Sequence, residues 1–360
     1  MLFYINLEFS IAQIIVFYVL QYLTVLSVLM FLGKSDTFRL IGFSLFLSAV
    51  AFLAISLLQS QSVSQFYFIA IVSGLVLPLF WVPCNIIYFN FTRMDNKALL
   101  SGFSLLIVPL LNAVVPFASG MVIEFSGFRT VFYASVALAL IALIYANRIR
   151  DDSSLDLDYR KTLKPAKGVR TLICLEGFWQ GVTGVCIPLI TFTFIATGFG
   201  YGSFLSYLGL LGAFASLALC GLSDKMRNRA FFILPIAFLV SASTIISGLS
   251  HSMGAWVFVN GLISFFMAMA SPFTLSVVLD RVRDVKDAMV AREVFLNLGR
   301  LSGVLAVLAS YLISGSLHYP LIAAGVAFLL YPAVLKTKKL YPHHISLRSI
   351  FSKELYPLET

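Results

Sequence analysis

What most restricts this chain is the length of its uncharged stretches. Eleven runs, at 10–32, 40–58, 66–90, 98–123, 130–147, 170–196, 204–222, 230–249, 255–279, 288–313 and 320–336, are dominated by apolar residues and bounded by charged or Gly/Pro-broken segments. A helix needs about 20 such residues to cross a hydrocarbon layer of roughly 30 Å, whereas an outer-membrane barrel would show alternating segments of about ten residues. No long alternation occurs, so the sequence predicts an all-α membrane protein with about 11 transmembrane helices. Composition agrees: 60% of the 360 residues are hydrophobic and 11% charged, against about 25% charged in soluble domains.

Basic residues orient the spans, because loops retained in the cytoplasm carry the Lys and Arg. One set of connections reads GKSDTFR (33–39), FTRMDNK (91–97), the 148–170 linker, SDKMRNR (223–229), DRVRDVKD (280–287) and a tail with Lys336, Lys338 and Lys339. The alternate set, QSQSVSQ (59–65), EFSGFR (124–129), TGFGYGS (197–203), SHSMG (250–254) and SGSLHYP (314–320), holds a single basic residue, Arg129. The expected protein is a multi-pass protein of the plasma membrane with lipid around it and a cytoplasmic C-terminus. The net charge of +9 is spread over short loops and forms no patch, which argues against a nucleic-acid partner.

The chain also repeats itself. GKSDTFR returns as GLSDKMR at 221–227, with Gly33, Ser35, Asp36 and Arg39 matching Gly221, Ser223, Asp224 and Arg227 at an offset of 188. Gly127 and Gly315 share that offset, and Asp95 and Lys97 match Asp284 and Lys286 at 189. Two copies of one helical unit are implied. Run 170–196 has no first-half counterpart, since 170 − 188 falls before Met1. The expected organisation is therefore 5 + 6 helices, the missing first helix lying upstream of Met1 or being absent: a first bundle at 1–147, a cytoplasmic linker at 148–169, a six-helix bundle at 170–336 and a tail at 337–360.

Two helical halves, a linker between them and an acidic/basic loop after the second helix of each half resemble the major facilitator superfamily of secondary transporters. The family's loop motif, G-x-x-x-D-(R/K)-x-G-(R/K)-(R/K), is echoed in CGLSDKMRNR (220–229) by Asp224, Lys225 and Arg229, although Gly221 is one place late and Arg227 stands where the second Gly belongs. SGFRTVF (126–132) is similar to a G-W-R-x-x-F segment before the family's sixth helix. The resemblance implies a two-bundle fold with a pseudo-twofold repeat, alternating access to a small-molecule substrate, a proton as coupling ion, and no enzymatic reaction. It departs from the family where an Arg is common in the fourth helix, the position here being Ala70, and the antiporter motif of the fifth helix survives only as Gly102, Pro116 and Gly120.

Polar residues inside spans mark a substrate or ion path, since a charge at mid-membrane costs at least about 2.5 kcal/mol. Glu176, Gln180 and Thr183 share one helical face, as do Glu293, Asn297 and Arg300. Asn112 is the repeat mate of Arg300. Trp81, Asn85 and Tyr88 form a mixed stripe on run 66–90, and Asn260 lies on run 255–279 with Ser264. Glu176 is the candidate proton or cation site, with Arg300 favouring its ionised form if the helices are neighbours. For lone amides the competing reading is helix–helix hydrogen bonding. Gly299 and Gly303 read as a packing pair. In the loops, Asp36, Arg39, Asp224, Lys225, Arg227 and Arg229 are the gating candidates, against the simpler reading that they only orient the helices.

No nucleotide-binding motif and no metal-ligand spacing of Cys or His is present, so no cofactor, metal or ATP-driven cycle is expected. The aromatic content and scarcity of cavity charge favour efflux of small organic or amphiphilic solutes; the resemblance implies a proton-linked antiporter, and a monomer is expected. The alternatives are an importer of a polar nutrient and a non-transporting or inactive truncated relative.

Overall fold

The computed structural model describes residues 1–32, 35–58, 62–91, 97–149, 154–155, 162–223, 229–279 and 285–338. A five-residue helix α1 (Leu2–Asn6) precedes α2 (Ile11–Phe31), α3 (Thr37–Ser56), α4 (Val63–Phe91), α5 (Lys97–Ser126) and α6 (Phe128–Arg148). A 3₁₀ turn (Pro165–Gly168) leads into α7 (Arg170–Phe194), α8 (Gly198–Ser223), α9 (Arg229–Leu249), α10 (Met253–Leu279), α11 (Val285–Ser314), α12 (His318–Phe328) and α13 (Leu330–Thr337).

Each of the eleven apolar runs lies on helix, the last divided into α12 and α13 at Leu329. Among the described residues nine spans are long and apolar enough to cross a membrane; α5 and α9 add shorter apolar stretches, Leu110–Ser126 and Leu234–Leu249. One feature that helical periodicity does not announce is a two-residue antiparallel ladder, Ser35–Asp36 (β1) pairing with Ser154–Leu155 (β2). It ties the α2–α3 connection to the linker.

Local chemistry fixes the ends. Ser10 caps α2 through a reciprocal pair with Gln13, the Ser10 hydroxyl accepting from the Gln13 N–H at 3.2 Å and Gln13 Oε1 accepting from the Ser10 N–H at 2.8 Å. Asp36 caps α3, its Oδ1 accepting from the N–H groups of Phe38 and Arg39. The repeat mates Gly127 and Gly315 both take positive φ, 81° and 67°, at the turns before α6 and α12. A side chain is strained there, which gives the glycine match between the two halves a physical reason.

Within the first half, α3 packs on α4 and α6, and α2 on α4. Tyr4, Phe9, Phe17 and Phe66 form an aromatic knot that seats α1 on α2 and α4. Within the second half, α7 packs on α11 and α12, α9 on α10 and α12, and α8 on α10. Two indole N–H groups are satisfied inside this bundle: Trp179 donates to Thr244 and Trp256 to Thr191, each at 2.9 Å. An unpaired polar group in hydrocarbon is costly, so these bonds specify the packing as well as stabilise it.

Two seams join the halves, α5 against α8 and α2 against α11. Along the first, Gly120 meets Gly198 and Gly202, Gly209 abuts the Asn112 carbonyl, and the Ser206 hydroxyl donates to the Ala113 carbonyl. Small residues let the two backbones approach where van der Waals contact must replace the hydrophobic effect.

Candidate functional site

The closest helix crossing in the second bundle is α7 on α11. A methyl group on Gly177 would overlap the Leu296 carbonyl, one on Gly181 the Arg300 carbonyl, one on Gly299 the Cys174 carbonyl, and one on Gly303 the Phe178 carbonyl. The Gly299/Gly303 pair thus does pack, against the matching pair Gly177/Gly181. This proximity draws the polar side chains of the two helices into one network.

Glu176 is 2% exposed, and its Oε1 accepts from Arg292 Nη2 at 2.9 Å. Arg292 also lies 3.8 Å from Glu293 Oε1, while its Nε is buried without a hydrogen-bond partner. Gln180 Nε2 donates to the same Glu176 oxygen at 3.1 Å. Gln180 Oε1 accepts from Arg300 Nη2 at 2.7 Å and Nε at 3.0 Å. Asn297 completes the chain, accepting from Arg300 Nη1 at 3.1 Å and donating to Glu293 Oε2 at 3.2 Å. Two acidic side chains and two guanidiniums therefore meet within candidate spans, joined by two amides. Only one orientation of the Gln180 amide serves both an anion and a cation, and the hydrogen bonds hold it there.

The sequence reading paired Glu176 with Arg300; the structure places Arg292 against Glu176 and puts Gln180 between Glu176 and Arg300. Arg292 was missed, although a signal existed. It stands at i, i+4, i+7 and i+11 with Leu296, Gly299 and Gly303, the face that the glycines mark as the contact with α7.

Beside the network lies a cavity of 540 Å³ bounded by α5, α7, α8 and α10. Its polar lining comes from Asn112, Gln180, Ser216, Ser264 and Ser271, and its apolar lining includes Trp179 and Met267; among the described residues no charged side chain lines it. Ser264 donates to the Leu208 carbonyl at 2.7 Å and Ser216 to the Gly212 carbonyl at 2.9 Å. Among the described residues Gln180 alone belongs both to this lining and to the ionic network.

The other candidates fall elsewhere. Thr183 is buried and donates to the Trp179 carbonyl at 2.8 Å. Asn260 is buried between helices, donating to the Trp256 carbonyl at 2.8 Å and accepting from Ser247 at 3.4 Å. Trp81 is exposed, Asn85 and Tyr88 are half-buried, and none of the three borders the cavity. Arg39 is exposed, its Nε 3.5 Å from Asp36 Oδ2. Asp224, Lys225 and Arg227 lie outside the described residues, and Arg229 begins α9. Among the described residues no group of three His, Cys, Asp or Glu side chains could hold a metal.

Helices in two bundles, seams of small residues between them and an uncharged cavity beside a buried ionic network define a polytopic membrane protein of the secondary-transporter class. The chain belongs to the Major Facilitator Superfamily, whose model matches residues 2–304. It is a transport protein and not an enzyme. The chain is 24% identical over 300 residues to the uncharacterized protein YqgE of Bacillus subtilis (strain 168), covering 76% of this chain and 68% of that protein. Its fold is similar to that of the E. coli fucose:proton symporter FucP, with a TM-score of 0.61 at 11% identity, covering 93% of this chain and 92% of the other.

Proposed function

We propose that the protein is a proton-coupled carrier of small uncharged organic solutes that combine apolar surface with oxygen or nitrogen functions. The observation that carries this reading is the cavity lining. Trp179, Met267 and other apolar groups surround a few amides and hydroxyls, and among the described residues no charged side chain borders the space. Such a surface solvates an amphiphile and desolvates an ion without repayment. The bundles rock about the α5–α8 and α2–α11 seams, exposing the cavity to each side in turn. Proton coupling rests on Glu176, a buried carboxylate one side chain away from the cavity. The Lys/Arg asymmetry of the loops supports a cytoplasmic C-terminus.

Efflux of amphiphiles is one reading of this largely apolar lining, to which Trp179 contributes an aromatic ring. A second reading, uptake together with a proton, is favoured by the likeness to a fucose:proton symporter and by the amides at the cavity wall. The test is reconstitution into liposomes that enclose a pH dye, challenged with a panel of neutral amphiphiles, neutral polyols and organic ions. Solute-induced proton movement with neutral compounds, lost in Glu176→Gln, is expected. A response confined to ions sinks the solute class; a response unchanged in Glu176→Gln sinks the coupling site.

A further inference from the structure

We propose that Gln180 is the residue through which the cavity and the buried ionic network sense each other, and that the linkage it creates is positive, so that solute and proton are carried together. The inference rests on the reading of Glu176 as the proton site, and its sign selects the second reading, uptake together with a proton, over efflux by exchange.

The geometry is specific. Gln180 lines the cavity, holds the Glu176 carboxylate through Nε2 and receives the Arg300 guanidinium at Oε1. An amide has two N–H donors and one carbonyl oxygen, and the oxygen here already accepts twice. What a solute can take from Gln180 is therefore an N–H, given to an acceptor such as a carbonyl, ether or hydroxyl oxygen. If the solute draws the amide toward itself, the bond to Glu176 is lost. If it uses the second N–H, the first still feels the change, because an amide polarised by a carboxylate is a poorer donor at its other hydrogen.

Both routes have one sign. Ionised Glu176 holds Gln180 back from the solute, and a proton added to Glu176 releases it. Conversely, a bound solute removes a hydrogen bond from the carboxylate and favours its protonation. A group whose ionised form is held by a partner accepts a proton more readily when that partner is drawn away, and linkage makes the effect reciprocal.

The groups around Glu176 do not reverse this sign. From α11 it faces Arg292, with Glu293 and Arg300 beyond. Tyr331 of α13 lies within electrostatic reach of Arg292, and Tyr22 of α2 within reach of Arg300. From α12 the neighbour of Trp179 is Phe328, while that helix's titratable residues, His318 and Tyr319, stand at its opposite end. Arg292 Nη2 and Gln180 Nε2 both donate to the same Glu176 oxygen, so the Gln180 tie adds to the arginine's hold on that side chain.

A carrier kept from cycling with a proton alone should become leaky when the tie is cut, and this needs no knowledge of the solute. The full chain is reconstituted into liposomes containing a pH dye, a pH gradient is imposed, and proton entry is followed in the absence of any solute. Gln180→Ala should dissipate the gradient about tenfold faster than the unaltered chain, the change expected when one charge-assisted hydrogen bond no longer holds the carboxylate. Gln180→Asn, whose amide is withdrawn by one methylene, should leak at an intermediate rate and stands in if the alanine variant does not fold. Adding Glu176→Gln to either variant should restore a tight vesicle. No added leak in a folded Gln180 variant overturns the role of Gln180. A leak that persists with Glu176→Gln overturns instead the placing of the proton on Glu176, so the two failures are distinguishable.

Discussion

Arg292 Nη2 on α11 donates to Glu176 Oε1 on α7 across 2.9 Å, and the pair sits within the tightest glycine-lined crossing of the second bundle. The glycines matter to the charges. With the two backbones this close, an arginine on one helix reaches a glutamate that is 2% exposed on the other. The pair, in turn, leaves neither ion unpartnered in hydrocarbon.

Removing one partner should cost more than removing both. Arg292→Gln leaves Glu176 with the Gln180 amide as its described hydrogen-bond partner and should destabilise the protein by about 3–5 kcal/mol, the usual cost of orphaning a buried charge. Arg292→Gln combined with Glu176→Gln should recover a large part of that loss. Thermal unfolding in detergent, followed by thiol reactivity of Cys186, compares the three proteins. A double variant no more stable than the single one would show that the two side chains act independently.

The helix crossing makes its own prediction. Gly181→Ala places a methyl group on the Arg300 carbonyl, whereas a methyl group at Gly184 on the same helix meets nothing within 4 Å. The first substitution should cost about 1–3 kcal/mol through overpacking. The second should be neutral or stabilising by up to about 1 kcal/mol, since alanine outranks glycine in a helix. Equal effects in the same unfolding assay would mean that α7 and α11 do not approach as described.

Asp36 can be tested as a helix cap and as a gate separately. Asp36→Asn keeps an acceptor for the Phe38 and Arg39 amides and should unfold within about 0.5 kcal/mol of the unaltered chain, while Asp36→Ala should lose about 0.5–2 kcal/mol. If Asp36→Asn nevertheless alters proton-linked transport, its charge serves the cycle beyond the cap. Identical stability losses in the two variants would remove the cap from the account.

Orientation is open to labelling. In a chain cleared of its four cysteines, a cysteine at Ser62 should react with an impermeant maleimide added outside cells, and one at Ser35 only after the membrane is opened. The expectation comes from the Lys/Arg asymmetry between the two sets of loops. Labelling of both positions from outside would overturn the topology.

The sequence by itself determined the solvent, the helical class and the repeat, because each depends on local runs of residues. Twenty uncharged residues in succession have few options in a bilayer, and Gly127 and Gly315 match at the repeat offset, though only the backbone shows that both take positive φ. Sequence could also mark Glu176, Gln180 and Arg300 as unusual, since charge and amide inside a span are costly wherever the helix lies. It could not say who partners whom. A helical face spans several residues, and Glu176 could have been met from α11 by Arg292 or by Arg300; the choice was made by the axial register of α7 on α11, which the carbonyl contacts of Gly177 and Gly181 fix. The same holds for the cavity. Asn112 and Gln180 stand 68 residues apart in the chain and share a wall only because α5 leans on α8 of the other bundle, a contact made of small residues whose partner no periodicity reveals. Local chemistry names the elements and the costly groups; which costs cancel is decided by distances between helices, and those belong to the tertiary structure.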